Sequence, residues 1–207
     1  SREGKGVEWN AERNILTVTE TMSIALSGHQ GDSKVGPLTT VSICHCMAQL
    51  ISPSGPRVRR MRPWAISGNW IHNCMDMTYD PVYASLKDTL RSEGSIRVVP
   101  ITEVPMPNVE NLDFIDSEKL REISSRWDSM GNEGRARSIS HLCREVLQST
   151  KPSTSRLEEI VWGCIMAPGW ESDLASQIRL SSSIWKHNDK GIAASKIIDS
   201  LIRSGNL

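Results

Sequence analysis

Residues 42–46 read Ser42-Ile43-Cys44-His45-Cys46, two thiols flanking an imidazole, and His72 and Cys74 repeat the two-residue interval downstream. Thiolate and neutral imidazole are the ligands that structural zinc prefers. If Val41–Cys46 is a strand, Cys44 and Cys46 share one face, and a neighbouring strand with His72 and Cys74 completes a four-ligand set. Paired zinc ligands are normally separated by two to four residues, whereas a single residue separates them here. If 38–51 is instead a helix, the two thiols diverge. Free cysteine is among the residue types most often buried, so the spacing predicts core packing and no metal.

Motifs for covalent or phosphate chemistry are missing. Asp32-Ser33 is followed by Lys34 and Val35, not by the glycines that shape an oxyanion hole. There is no G-x-S-x-G elbow, P-loop, G-x-G-x-x-G or His-Glu-x-x-His. His141 and Cys143, two residues apart on a helix, face different ways. A Cys–His pair formed in space, such as Cys74 with His29, keeps an enzyme of unrecognised type open as a reading. No cofactor is implied.

Binding chemistry is concentrated in 53–64, Pro-Ser-Gly-Pro-Arg-Val-Arg-Arg-Met-Arg-Pro-Trp. Arg57, Arg59, Arg60 and Arg62 fall within six residues and precede Trp64 and Trp70. Guanidinium groups pair bidentately with phosphate, and indoles offer stacking faces for unpaired bases. Together they predict a loop or hairpin-edge patch that takes single-stranded RNA through Lys34, Arg57, Arg59, Arg60, Arg62 and Trp64. The same peptide would also serve as a nuclear-import signal. Residues 33–74 contain no acidic side chain, whereas between 103 and 133 eight acidic residues face three basic ones. Opposed patches of this kind dock head-to-tail on a second copy or face each other within one fold.

The elements that must hold these groups are legible from periodicity. With 207 residues, 38% hydrophobic and 23% charged, the chain is globular in composition, and its formal net charge of +0 gives no global field. No run of about 18 apolar residues exists, so no transmembrane segment is expected, and 1–10 lack a secretory apolar region. Five cysteines without a framework fit reduced thiols in the cytoplasm or nucleus. Residues 14–20 and 22–27 read as strands and 28–37 as a loop. Asp80-Pro81 is an N-cap with Pro at the first helical position, and Gly94 ends that helix. A strand at 95–99 runs into Pro100.

From Asp116 onward the stripes are helical. They comprise Leu120 to Met130, Ile139 to Leu147, a capping box at Ser155 that opens a helix through Ile165, Leu174 to Trp185, and Ile197 to Ile202 before Gly205. The expected class is α+β: a strand-containing N-terminal half (1–110, with the basic loop) followed by a compact bundle of about five short helices (111–207), with Trp127 and Trp185 buried in it. The functional expectation is a non-enzymatic, RNA-associated structural or assembly protein of viral matrix or nucleocapsid-like character, with self-association into a homo-oligomer as a further expectation. The alternative is a protein–protein interaction module without nucleic-acid binding, docking a basic partner on 103–133.

Overall fold

In the computed structural model, residues 6–27, 33–75, 80–107, 115–144, 154–187 and 189–207 are described. The fold is an α+β mix with a helical C-terminal half. Among the described residues the strands form three two-stranded antiparallel sheets. Contacts divide the chain into two compact units, Ser1–Ile96 with Ile184–Leu207 and Arg97–Ser183.

The first unit begins with a hairpin, β1 (Val7–Asn10) and β2 (Ile15–Val18), in register Val7 to Val18 and Trp9 to Leu16. Its turn is set by Asn10, whose Oδ1 accepts from Arg13 N at 3.0 Å, and by Asn14 in the left-handed region at φ 52°. Asparagine tolerates that conformation better than other non-glycine residues. A second hairpin joins β3 (Thr21–Ser27) to β4 (Ser33–Leu38), so part of the expected 28–37 loop is strand.

Helices α1 (Thr40–Ile51), α2 (Pro56–Met61), α3 (Ser67–Met75) and α4 (Pro81–Ser92) follow, with a 3₁₀ turn Arg62–Ile66 leading into α3. The basic segment is therefore helix and 3₁₀ turn rather than a loop, because Pro56 sits at N1, where its missing N–H costs nothing. Asp80 caps α4 as its sequence predicts, with Oδ1 accepting from Tyr83 N at 3.0 Å.

At the centre lies Asn69 of α3, fully buried. Its Oδ1 accepts from Thr39 Oγ1 at 3.2 Å, and Ser42 Oγ lies at the same distance. Its Nδ2 donates to the Pro37 carbonyl at 2.9 Å and to Asp80 Oδ2 at 2.8 Å. The single Ser42 hydroxyl hydrogen goes to Ala65 O at 2.6 Å, the shortest of its contacts. Beside this network Leu38, Ile43 and Val82 form an apolar cluster, with Val18, Met47 and Leu86 packed on it.

The last helix, numbered α9 below (Lys190–Arg203), belongs to the same unit and ends at Gly205, φ +80°.

The second unit is built on β5 (Arg97–Val99) paired antiparallel with β6 (Cys164–Met166). Around it lie α5 (Ser117–Arg126), α6 (Asn132–Leu142), α7 (Thr154–Val161) and most of α8 (Leu174–His187). The helix expected to run through Ile165 stops at Val161, and Cys164–Met166 is a fully buried strand. Trp127 is buried as expected, its Nε1–H donating to Glu103 Oε1 at 2.9 Å, whereas Trp185 is exposed beneath the Lys190 ammonium.

Gly68 packs directly on this network. A Cβ there would lie 2.5 Å from Thr39 Oγ1 and 2.7 Å from Thr39 Cβ, a side chain already fixed by two hydrogen-bond partners. Gly68→Ala should therefore destabilise the protein by about 1–3 kcal/mol, as overpacking does. Urea unfolding should show a lower midpoint at unchanged slope.

Candidate nucleic-acid interface

The arginine run splits into two pairs by their contacts. Arg57 and Arg59 are exposed on α2, and neither side chain makes a hydrogen bond or ion pair with any described residue. Arg60 instead reaches the end of α9, donating from Nη1 to Ile202 O at 2.9 Å and Arg203 O at 2.8 Å. It satisfies carbonyls that the helix itself leaves unpaired and sets a positive charge at the negative end of the helix dipole. Arg62 is largely buried and pairs with Glu93, Nη1 to Oε2 3.1 Å.

Trp64 does not fit the stacking role expected of it. It is only 9% exposed, and its Nε1–H donates to Gly205 O at 2.9 Å. An indole enclosed in this way presents no face to a base. Trp70 is also buried. Lys34 lies in β4 opposite Leu26, and its side chain falls outside the described residues. In place of Trp64, the exposed indole of this unit's hairpin is Trp9, which sequence reasoning passed over because it sits outside the basic run.

The Cys-His-Cys segment is part of α1, so its thiols point apart and are exposed; the expected core packing of Cys44 and Cys46 is not found. His72 faces Glu20, Nδ1 to Oε1 3.4 Å, and the Cys74 side chain falls outside the described residues. Among the described residues no group of three or more His, Cys, Asp or Glu is placed to hold a metal ion. No helix among them is long and apolar enough to cross a membrane.

Several other groups are perturbed for structural reasons. Burial pushes the thiols of Cys143 and Cys164 upward, which leaves them poor nucleophiles. Burial likewise raises Asp173, although the Ser176 hydroxyl and amides at the start of α8 pull it back.

The acidic 103–133 segment is partly neutralised within its own unit. Glu122 pairs with Arg126, Glu133 with Arg137 at 2.9 Å, and Asp116 with Lys119 at 3.6 Å, while Glu103 accepts from Trp127. The groove between α5 and α6, about 350 Å³, is lined by Ile123 and Met130 with Lys119, Arg126, Arg137 and His141 around them. Because the Lys119, Arg126 and Arg137 cations sit beside their own carboxylates, the groove has little net charge.

Comparison of the chain with protein-family models, with curated proteins and with solved structures finds no match.

Behind the basic helix lies a titratable contact. His45 of α1 is half-buried, and its Nε2 and the Nε of Arg62 are both buried without a hydrogen-bond partner. Desolvation, then the Arg62 charge, lower the His45 pKa from its ordinary 6.5, with Glu93 acting the other way. The unfolded chain thus binds this proton more readily than the folded one. The stability that neutral His45 contributes is complete above about pH 6.5 and is lost as pH falls through the lower folded value. Melting temperatures at about pH 7.5 and about pH 5.5 should differ more for the parent than for His45→Gln, which cannot take the proton.

Proposed function

We propose that this chain is a non-enzymatic, nucleic-acid-associated assembly protein of the cytoplasm or nucleus, matrix- or nucleocapsid-like in character, that holds RNA by its phosphates through Arg57 and Arg59. The observation that carries the reading is the exposure of these two guanidinium groups without a carboxylate partner among the described residues, beside two arginines that the fold itself consumes. Like charges held close together are tolerated where water or an anionic partner screens them. Helix α1, against which α2 packs, has no ionised carboxylate to oppose them. Trp9, the most exposed indole of the same unit, offers a stacking surface to an unpaired base and takes over the role expected of Trp64.

A second reading, a protein-interaction module, is favoured by the apolar surface that continues out of the Leu38–Ile43–Val82 cluster. On α1 the stripe Ile43 and Met47 runs on into Leu50 and Ile51, which are 82% and 83% exposed. On the first hairpin Val18 packs on the same cluster, and its face continues to exposed Leu16 and Trp9. Uncovered apolar surface rimmed by polar groups marks a contact surface.

Binding to a single-stranded RNA oligomer across a salt series separates the two. Arg57→Ala with Arg59→Ala should lower the salt slope by roughly 1.4, at about 0.7 per phosphate contact, weaken all sequences alike and leave the melting temperature unchanged. Arg60→Ala should instead lower the melting temperature, because it uncaps α9. Trp9→Ala should weaken single-stranded more than duplex binding. If the parent holds no RNA at moderate salt, the nucleic-acid reading fails and the interaction-module reading stands.

A further inference from the structure

Helix α9 has two unlike faces. Towards its own unit it turns buried Ala193 and half-buried Ile197 and Leu201. Away from it, Ile192, Ile198 and Ile202 are 55%, 53% and 40% exposed. The outer arc also carries Ser195, Lys196 and Asp199, all exposed. Ile192, Ser195, Asp199 and Ile202 follow the three-four-three spacing of a helix–helix seam. Lys196 and Asp199 have no ion-pair partner among the described residues.

Three exposed isoleucines on one helix need a cover, and Asp199 decides which kind. It sits inside the apolar arc, between Ile192 and Ile202. A lipid surface taking up these isoleucines would have to bury an ionised carboxylate with no partner, which is costly. A second copy of the same helix, run antiparallel, resolves that conflict. It sets Ile192 against Ile202 of the second copy, and the reverse. It sets the Ser195 hydroxyl opposite Asp199 Oδ, where it can donate. Lys196 then flanks the same carboxylate, and Ile198 meets its own equivalent across the axis. The pattern is self-complementary, as a two-fold interface requires.

The helix is also held ready for such a contact. Arg60 fixes its last carbonyls and Trp64 fixes Gly205 just beyond it, so the outer face is presented in one orientation. Little ordering entropy is then lost on association.

We propose that α9 is a self-association face: two copies pair their Lys190–Arg203 helices antiparallel about a two-fold axis near residue 197. The pairing is independent of the nucleic-acid reading, because it uses neither Arg57 nor Arg59.

Sedimentation equilibrium of the full chain over a concentration series tests it. Reductant must be present, since Cys44 and Cys46 are exposed and would otherwise form disulfide-linked dimers. The expected result is a reversible dimer. Ile198→Asp should raise its dissociation constant at least ~tenfold while keeping the parent's helical circular dichroism spectrum. Lys196→Asp and Asp199→Lys should each weaken the dimer, and the two together should restore it, a rescue that a merely structural role would not give. A parent that is monomeric throughout overturns the proposal, as does an Ile198→Asp variant that dimerises like the parent. A monomeric parent that binds phosphatidylserine-containing vesicles, with binding lost in Ile198→Asp, also overturns it and assigns the face to lipid.

Discussion

The first unit depends on a single buried amide. Asn69 presents two donor hydrogens and an acceptor oxygen, and the fold engages them all: both hydrogens go to Pro37 and Asp80, and the oxygen accepts from Thr39 with the Ser42 hydroxyl beside it. An unmatched amide at this depth would cost on the order of 1–3 kcal/mol per missing partner, so the network tolerates few other arrangements. It ties the end of β4 to the start of α1, both of these to α3, and α3 through Asp80 to the start of α4. Gly68 is the adjoining position where Thr39 leaves no room for a side chain. Apolar packing around Leu38, Ile43 and Val82 supplies area, but it is non-directional; the amide supplies the register.

That register decides what the arginines do. The segment Pro56–Ile66 runs directly into α3, so its orientation is set where Asn69 is anchored. The result is an allocation by direction. Arg60 and Arg62 turn towards the last carbonyls of α9 and towards Glu93, where they hold structure together. Arg57 and Arg59 turn to solvent. A stretch of sequence without acid is thus not a region of space without acid: Glu93 and the C-terminal carbonyls of α9 reach it from far along the chain. Arg62, whose side chain is 19% exposed, holds its Glu93 bond with less screening than a pair such as Glu133–Arg137, exposed at 80% and 89%.

Local signals in the sequence were legible, and long-range ones were not. Asp80-Pro81 announced the start of α4 because an N-cap and an N1 proline act within one turn. The stripe from Leu120 and the stop at Gly205 were equally plain for the same reason. The α+β class with a helical C-terminal half could likewise be read from periodicity. By contrast, Pro-Arg-Val-Arg-Arg-Met carries too little apolar periodicity to reveal helix α2. Cys164–Met166 reads as the tail of a helix because its strand partner, Arg97–Val99, lies far upstream. Trp64 looked available for stacking because Gly205, which receives its N–H, is 141 positions away. Trp185 continues an apolar stripe, but nothing in a stripe says whether another element covers it. The candidate site suffered most from this, since which guanidinium groups are free is a tertiary fact.

The division of labour within the arginine run is most directly tested by the side-chain Nε–Hε resonances of the arginines in a two-dimensional ¹H–¹⁵N spectrum, recorded as a single-stranded RNA oligomer is added. Arg57 and Arg59 should shift progressively and sharpen as phosphate orders them, while Arg60 and Arg62, already held by the fold, stay in place. Absence of any shift at Arg57 and Arg59, or shifts confined to Arg60 and Arg62, would contradict this account.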